Sequence, residues 1–338
     1  MKILFIRFSS IGDIVLATPV FRCTKQQIPN VSIHFACKVA FKAVTEHNPY
    51  IDKFHYLNNN NLSALIDELK AENFDYVIDL HKNFRSYKII TSLKKPSSSY
   101  KKLSIQKLLL TKTGINLMPE RHITLRSLDA VKSLGVQDDG GGLDYFIGKN
   151  DELKQGDLPL SHVHGFIALV IGASYATKKL PNDLLIELCS LLNYPLVLVG
   201  GKEDAENAEI IAASNRIMIY NACGKFSLNE SAAIVQQSKL VISHDTGLQY
   251  IACAFGKKVL AIWGGTSPKL AVEPFYGTKL AHYGKNTLFF NFLVPNLSCQ
   301  PCSNFGTKNC PKKHFKCMKN QNIGAIAQKA KEILGISA

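Results

Sequence analysis

Residues 239–268 constrain the fold of this chain more than any other stretch. The apolar residues 240–243 predict a buried strand, residues 244–247 a tight polar turn, and residues 248–255 a short helix. A second apolar strand is predicted at residues 259–263 and runs into a glycine-rich turn. A strand, a helix and a strand in this order are typical of a parallel βαβ unit, so we expect an α/β protein.

The polar turn of this unit has the residues of an anion-binding site. Asp245 and Thr246 are good N-cap residues, and Gly247 allows a ligand to approach the backbone closely. The free N–H groups at the start of the following helix, including that of Leu248, would face such a ligand together with the positive end of the helix dipole. The unit therefore indicates a phosphate-binding function.

The chain has 338 residues, and single hydrophobic cores usually stop growing at roughly 250–300 residues, so two domains are expected. Strands and helices alternate, and the alternation restarts after a loop-like stretch at residues 151–164. Predicted strands lie at residues 2–7, 31–37, 54–57, 76–80, 165–171 and 196–200, and predicted helices at residues 62–72, 103–110 and 322–334, with one more that begins near Ile14 and that Pro19 kinks or interrupts. We expect two Rossmann-like parallel-sheet domains, residues 1–155 and 156–320, followed by a closing helix in residues 321–338.

Polar loops follow four predicted strands of the second half, at residues 172–178, 201–204, 244–247 and 264–268. The carboxyl ends of parallel strands meet at one edge of a sheet, where ligands bind in open α/β folds. Ser174 and Lys178 lie on the first loop, and Lys178 would bring a positive charge to a diphosphate. Glu203 has the position of a ribose-binding carboxylate. A lone lysine is more often a surface residue and Asp245 could be only a helix cap, but the convergence of the loops favours a nucleotide site.

Asp13 follows the first predicted strand, on a loop at the same kind of edge. A carboxylate there can accept a proton from a hydroxyl nucleophile as a general base, or it can be a helix cap. His81, Lys82 and Arg85 follow the predicted strand at residues 76–80. They are candidates for contacts with an anionic acceptor, with a solvated loop as the alternative.

The charge distribution favours an anionic partner. The net charge is +14, and ten of the eleven charged residues from Lys82 to Arg121 are basic. A nucleic acid, an acidic membrane face or a phosphorylated substrate would each suit this charge, and a solvated lysine-rich surface explains part of it. The chain has neither a P-loop nor a GxGxxG motif, which argues against an NTPase or a nicotinamide enzyme. No apolar run reaches ~18 residues and no signal peptide is recognisable, so we expect a cytoplasmic protein.

Nine cysteines without a signal peptide indicate thiols in a reducing compartment. Five of them lie in apolar surroundings and are predicted to be small buried residues. The other four, Cys299, Cys302, Cys310 and Cys317, have the spacing C-x2-C-x7-C-x6-C. This spacing fits a structural zinc site, and reduced or partly paired thiols are the alternative.

Two motifs resemble those of a known family. Residues 8–19, Phe-Ser-Ser-Ile-Gly-Asp-Ile-Val-Leu-Ala-Thr-Pro, are similar to the N-terminal signature of the family 9 glycosyltransferases, the lipopolysaccharide heptosyltransferases. Residues 245–248, 251–256 and 263–268 resemble the C-terminal signature of that family. The two motifs together span nearly the whole chain. The resemblance implies a GT-B fold with two Rossmann-like domains facing a cleft, an ADP-activated heptose donor and an inverting single displacement without a metal.

The resemblance also implies roles for single residues. Asp13 resembles the catalytic base of the family, Lys178 the lysine that holds the donor diphosphate, and Glu203 the carboxylate on the donor ribose. The diphosphate and nucleoside loop corresponds to Thr246, Gly247 and Leu248. Beside these roles, we predict that Ser174 and Asp245 belong to the donor site. The family usually has histidine where this chain has Tyr250 and tryptophan where it has Leu180; both departures lie on the donor side and concern the identity of the donor.

These observations predict a glycosyltransferase that moves heptose from ADP-heptose to the lipopolysaccharide inner core, without a cofactor or a metal. The N-terminal domain would bind the anionic lipid A acceptor and the C-terminal domain the nucleotide sugar. The basic zones would favour peripheral contact with the cytoplasmic face of the inner membrane. A transferase of the same fold with another nucleotide sugar or acceptor is the alternative. A more distant alternative is a basic nucleic-acid-binding protein. A third alternative is a homologue that binds the nucleotide without catalysing transfer.

Overall fold

The structure is a computed structural model, and it describes residues 1–279 and 285–336. The chain divides into two compact units. The first consists of Met1–Leu103 and Arg121–Phe146, and the second of Ser104–Glu120 and Ile147–Ala338. Each unit contains one parallel β-sheet.

The sheet of the first unit has five parallel strands in the order β3-β2-β1-β4-β5. Its strands are β1 (Lys2–Ile6), β2 (Ser32–Lys38), β3 (Lys53–Leu57), β4 (Tyr76–Asp79) and β5 (Ser97–Ser99). The central strand β1 pairs Phe5 with Phe35 on one side and with Ile78 on the other. Its residues from Ile3 to Ile6 are completely buried, because helices cover both faces of a parallel sheet.

The helices of the first unit are α1 (Ile11–Val15), α2 (Thr18–Gln27), α3 (Leu62–Ala71), α4 (Phe84–Leu93) and α6 (Ile123–Leu128). The predicted interruption near Pro19 is confirmed: α1 ends at Val15, and Pro19 lies in the first turn of α2. Proline is tolerated there because the first N–H groups of a helix have no carbonyl partner within it.

The sheet of the second unit has six parallel strands in the order β11-β10-β9-β6-β7-β8. They are β6 (Ile167–Val170), β7 (Leu196–Val199), β8 (Ile219–Asn221), β9 (Leu240–His244), β10 (Val259–Ile262) and β11 (Phe289–Phe292). The predicted order of strand, polar turn, helix and strand at residues 239–268 is confirmed, with β9 and β10 as its parallel strands. The loops that follow β6, β7, β9 and β10 therefore leave the same edge of this sheet.

The helices of the second unit are α5 (Ser104–Thr113), α7 (Asn182–Leu192), α8 (Ala205–Ala212), α9 (Leu228–Gln237), α10 (Gly247–Ala254), α11 (Lys285–Leu288), α12 (Lys316–Lys319) and α13 (Ile323–Leu334). Its core joins apolar residues of α7 and of the closing helix α13, such as Leu188 and Ile326, to the sheet residues Leu198 and Ile242. No helix among the described residues has the length and the apolar character needed to cross a bilayer.

The position of Asp13 differs from the prediction. Asp13 is the third residue of α1, not part of a loop, because Oδ2 of its carboxylate accepts hydrogen bonds from the backbone N–H and the hydroxyl of Ser10, the residue before the helix. The backbone bond is one half of a capping box, in which the third helical residue reaches back to the N–H of the residue before the helix.

Candidate active site

The turn between β9 and α10 presents an open helix N-terminus. Thr246 has an extended backbone just before the helix, and its side chain makes no capping hydrogen bond within the described part of the chain. The first N–H groups of α10, from Gly247 and Leu248, belong to the turn in which a helix offers no carbonyl partner. They and the helix dipole therefore favour a negatively charged group at this place.

Asp245 precedes this helix and is almost completely buried, with 7% of its surface exposed. One carboxylate oxygen, Oδ2, lies 2.7 Å from Nζ of Lys178 and accepts a hydrogen bond of 2.8 Å from the hydroxyl of Thr266. The other oxygen, Oδ1, lies 3.3 Å from the hydroxyl of Tyr250, which shares its single proton between this oxygen and the nearer carbonyl of Val272. Both oxygens of Asp245 are therefore occupied, and the carboxylate fixes Lys178 beside the start of α10. The structure thus brings two of the predicted site residues into contact.

The loop that carries Lys178 is fixed by a close backbone approach. The N–H of Gly265 donates to the carbonyl of Thr177 at 2.8 Å. A Cβ atom on Gly264 would lie 2.3 Å from the same carbonyl oxygen, which no real side chain tolerates. Glycine is therefore required at position 264. It lets the turn that follows β10 approach the backbone of Thr177, the residue before Lys178.

A segment that the sequence analysis did not connect with the site supports the same loop. The hydroxyl of Thr177 accepts a hydrogen bond of 2.7 Å from the N–H of Thr307. The side chain of Gln300 donates to the carbonyls of Trp263 and Gly264 at 3.0 and 2.8 Å. The cysteine-rich segment that begins at Cys299 therefore packs against the turns that position Lys178.

The four cysteines of this segment are free thiols. Among the described residues, no three of their sulfur atoms lie within 4.8 Å of one another. Four thiolates at about 2.3 Å from one zinc ion lie roughly 3.8 Å from one another. The four sulfur atoms are therefore not arranged at zinc-binding distances here, although Cys302, Cys310 and Cys299 lie near enough to help burial raise the pKa of Cys317 to about 12. The other five cysteines are buried, as predicted.

Two further predicted donor residues, Ser174 and Glu203, are exposed. The buried carboxylate after β7 belongs to the neighbour of Glu203, Asp204, which accepts from the N–H of Gly201 at 3.0 Å and pairs with Lys179. Neither Ser174 nor Glu203 makes a side-chain hydrogen bond or an ion pair within the part of the chain that the structure describes. Their side chains are therefore available to a ligand, and the structure does not bring them into contact with Lys178 or Asp245.

In the first unit, Arg7 directly follows β1 and holds Asp13. Its Nη2 lies 2.7 Å from Oδ2 of Asp13, its Nε donates to the carbonyl of Ser9 at 2.9 Å, and its Nη1 donates to the carbonyl of Leu80. The one contact from Arg7 to Asp13, like the two from Ser10, reaches Oδ2. In the described residues, Oδ1 of Asp13 receives no hydrogen bond, and the side chain is 24% exposed. One oxygen of Asp13 is therefore available to another molecule.

The Arg7–Asp13 pair sets the charge state of the carboxylate. Burial raises the pKa of Asp13, but the charge and hydrogen bond of Arg7, aided by Ser10, outweigh burial and hold this pKa below its ordinary value. Burial likewise lowers the pKa of Arg7, while Asp13 and Tyr100 raise it above its ordinary value. Asp13 is therefore a carboxylate at neutral pH.

The predicted acceptor residues lie on a turn that Asp79, at the end of β4, organises. Its Oδ1 accepts from the backbone N–H groups of His81 and Lys82 at 2.9 and 2.8 Å. Asn83 then caps α4 by accepting from the N–H groups of Arg85 and Ser86. Burial, with Arg7 and Lys102 nearby, lowers the pKa of His81 to about 4, so His81 is neutral at pH 7 and offers hydrogen bonds, not charge.

The sequence of the whole chain was compared with known proteins. The sequence profile of "Glycosyltransferase family 9 (heptosyltransferase)" matches residues 62–282, which is more than half of the chain. The chain belongs to this family. It is therefore a glycosyltransferase.

Individual relatives are distant in sequence. A "Lipopolysaccharide heptosyltransferase 1" of Campylobacter coli is 23% identical over 292 residues, which cover 79% of this chain and 84% of that protein. The structure of the Escherichia coli "ADP-heptose lps heptosyltransferase II" matches with a TM-score of 0.73 and 16% identity, covering 99% of this chain and 98% of that one. The iron-containing dodecameric glycosyltransferase TibC from enterotoxigenic Escherichia coli matches with a TM-score of 0.57 and 11% identity, over 99% and 76% of the two chains. These likenesses confirm the GT-B fold.

Both departures from the family pattern occupy packing positions in this glycosyltransferase. Tyr250 is buried, and its hydroxyl bridges Asp245 and the carbonyl of Val272, the latter at 2.7 Å. Leu180 lies in the apolar core of the second unit, and its N–H donates to Nε2 of His244 at 3.0 Å. Burial lowers the pKa of His244 to about 4, so this imidazole is neutral and can accept that bond.

Sequence reasoning missed two arginines of the first unit. Arg7 gives one signal, a cation directly after the four apolar residues Ile3 to Ile6. Arg126 gives none: it lies on α6 with 2% of its surface exposed, and its Nη1 donates to the carbonyl of Lys101 at 3.0 Å. Among the described residues, Nε and Nη2 of Arg126 have no hydrogen-bond partner.

Proposed function

We propose that this glycosyltransferase moves heptose from ADP-heptose to the lipopolysaccharide inner core by an inverting displacement without a metal. The observation that carries the proposal is the contrast between two carboxylates. Among the described residues, Asp13 keeps one oxygen without a partner, as a general base requires, while both oxygens of Asp245 have protein partners and one of them holds Lys178.

The second unit binds the donor. ADP leaves as an anion, and Lys178 with the open N-terminus of α10 stabilises the charge that develops on its diphosphate. Asp245 is a positioning residue, because its contacts are to protein groups. Ser174 and Glu203 present exposed oxygens to the nucleoside part of the donor, with Glu203 on the ribose hydroxyls.

The first unit supplies the base. The acceptor hydroxyl donates a hydrogen bond to Oδ1 of Asp13 and attacks the anomeric carbon of the heptose. The new C–O bond forms as the bond from that carbon to the diphosphate breaks, the hydroxyl proton passes to Asp13, and ADP departs. Because Arg7 keeps the pKa of Asp13 low, the carboxylate is a weak base. The proton therefore moves late, when the attacking oxygen is already acidic.

Cations of the first unit bind the acceptor, an anionic glycolipid. Lys82 and Arg85 form no ion pair within the described residues, and both project from the turn that follows β4. Nε and Nη2 of Arg126 form one edge of the guanidinium, which matches the two oxygens of a carboxylate or phosphate. His81 adds a neutral hydrogen-bonding group beside Arg7 and Lys102.

Exposed apolar side chains support peripheral contact with the inner membrane. Phe84 and Tyr87 on α4 are 70% and 63% exposed, and Lys88 of the same helix lies over the ring of Phe84. Ile105 and Leu108 on α5 are 72% and 56% exposed. Aromatic and aliphatic groups among lysines suit an anionic lipid surface, which attracts the cations while the apolar side chains enter the interface.

A transfer assay tests the proposal. Purified protein receives ADP-heptose and a heptose-deficient inner-core acceptor, with and without EDTA, and the product is followed by mass spectrometry. Product formation that survives EDTA and is lost in Asp13→Asn is the expected result. Transfer only from a UDP- or GDP-activated sugar would assign another donor to the same fold, and transfer abolished by EDTA would refute metal independence.

A further inference from the structure

We propose that His34, His55 and Glu72 form a binding site for a divalent metal ion of the zinc class. The site lies in the first unit at the amino edge of its sheet, where Lys2 begins β1 and Lys53 begins β3. Asp13 follows the opposite, carboxyl edge of the same sheet. The metal site is therefore separate from glycosyl transfer and does not rest on the proposed function.

Three ligand atoms converge in this cluster. Nδ1 of His34 lies 2.9 Å from Nε2 of His55 and 3.8 Å from Oε2 of Glu72. All three atoms lie within 4.8 Å of one another. Zinc binds imidazole nitrogen and carboxylate oxygen at about 2.0–2.2 Å, so an ion between atoms with this spacing reaches all three with small side-chain shifts.

A second carboxylate prepares His55 to be a ligand. Nδ1 of His55 lies 2.5 Å from Oε1 of Glu68, and an ionised carboxylate can only accept, so Nδ1 carries the proton. Nε2 of His55 then accepts the 2.9 Å hydrogen bond from Nδ1–H of His34, and a metal ion takes the place of that proton once His34 carries its own proton on Nε2. A carboxylate behind a histidine is the arrangement that orients metal-binding imidazoles.

The imidazoles are held in place before any ion binds. His55 is completely buried, His34 is 4% exposed, and the ring of Phe74 packs edge-on against both at centroid distances of 6.1 and 5.2 Å. This packing fixes the spacing of the two ring nitrogens, so the geometry suits two nitrogen ligands.

Two lysines compete with a metal ion for the carboxylate of Glu72. Lys53 contacts Oε1 of Glu72, while Lys2 lies 3.2 Å from Oε2 and donates to the backbone carbonyl of Glu72 at 2.7 Å. A metal ion on Oε2 replaces one contact of Lys2, which keeps its carbonyl bond. Two imidazoles and a single carboxylate select zinc, cobalt or nickel over magnesium and calcium, and water completes the coordination.

Metal binding would join three elements of the first unit. His34 lies on β2, His55 on β3, and Glu72 directly follows α3. An ion that binds only the folded protein raises its melting temperature in proportion to the logarithm of the ion concentration above Kd. We therefore expect a stabilising site, with no direct part in catalysis.

Metal titration of the full chain tests this site. The protein carries Cys299→Ser and Cys302→Ser, which remove the thiols of the cysteine-rich segment from competition, and is stripped with a chelator. Zn²⁺ and Co²⁺ are then added, and binding is followed by thermal shift and by the visible absorption of Co²⁺. Glu72→Gln and His34→Gln are compared with His47→Gln, which changes an exposed histidine of the same unit.

The expected result is one equivalent of bound ion and a rise of several degrees in Tm in the background protein and in His47→Gln, with at least tenfold weaker binding in Glu72→Gln. Because Glu72 is less buried than His34, with 16% of its side chain exposed, this variant is expected to fold even if His34→Gln does not. Equal binding in Glu72→Gln, or no binding in the background protein, would overturn the proposal. The heptosyl-transfer assay reports separately when the background protein is compared with Glu72→Gln, because equal transfer by the two shows that this site has no direct part in catalysis.

Discussion

Each unit has a carboxylate–cation pair at the carboxyl edge of its sheet, and the two pairs have the same 2.7 Å separation. In the first unit, Arg7 and Ser10 contact one oxygen of Asp13 and leave the other without a partner among the described residues. In the second, Lys178, Thr266 and Tyr250 occupy both oxygens of Asp245. The same kind of ion pair therefore serves opposite purposes: the cation supports the carboxylate in one unit, and the carboxylate supports the cation in the other.

Asp13→Asn gives the largest expected effect on activity. The amide keeps the size of the side chain but cannot accept a proton, so we expect kcat/KM to fall by about 10²–10⁴-fold, the usual contribution of a general base. Steady-state kinetics with saturating donor measures this. Binding of ADP to the second unit is expected to be unchanged, and a variant that retains more than a tenth of the activity would remove Asp13 from the role of base.

Lys178→Met is expected to reduce kcat/KM for the donor by about 10²-fold or more, because it removes a positive charge from the diphosphate and leaves Asp245 buried without its cation. Lys179→Met is the matched control, since this neighbouring lysine pairs with Asp204. Steady-state measurement of kcat/KM for the donor in both variants tests this prediction. A larger loss in Lys179→Met would move the diphosphate site away from Lys178.

Arg7→Met tests the support of Asp13 through the pH dependence of activity. Without Arg7, burial remains and raises the pKa of Asp13, so the carboxylate takes up a proton at a higher pH. The acid limb of the kcat/KM profile should therefore shift to higher pH, with the greatest loss in acid. Arg22→Met is the control, because this arginine pairs with Asp139 and Asp144 instead. An unshifted limb in Arg7→Met would contradict this reading.

Tyr250→Phe gives the smallest expected effect. It removes the hydrogen bonds to Asp245 and to the carbonyl of Val272, which lowers the free energy of unfolding by about 1 kcal/mol and raises the donor KM a few-fold. Tyr276→Phe also removes a buried hydroxyl from the second unit and should destabilise equally without changing KM. Equal donor KM values in the two variants would mean that Tyr250 contributes to stability and not to the donor site.

Most of the fold could be predicted from the sequence because long apolar strands and their polar ends carry a strong local signal. Strands β1, β7 and β9 lie within a residue or two of their predicted ranges. Strand β5 was missed because it consists of three serines, and β8 because it has only three residues. Strand β11, at the sheet edge, was also missed.

The candidate site could be predicted only in part. The motif around Asp245 correctly indicated that residues from several loops meet, and Lys178 does contact Asp245. The sequence could not indicate how many oxygens of each carboxylate are occupied, because this depends on contacts such as that of Thr266, which come from another strand. Cysteine spacing likewise predicts a possible ligand set but not the distances between its sulfur atoms.

The most direct test of the contrast between the two carboxylates is nucleotide-induced stabilisation of the wild type, Asp13→Asn and Lys178→Ala, with ADP, UDP, GDP and CMP compared side by side. We expect ADP to raise Tm in the wild type and equally in Asp13→Asn, and to have little effect in Lys178→Ala, because the donor depends on the second pair alone. Full stabilisation of Lys178→Ala by ADP, or its loss in Asp13→Asn, would contradict this assignment.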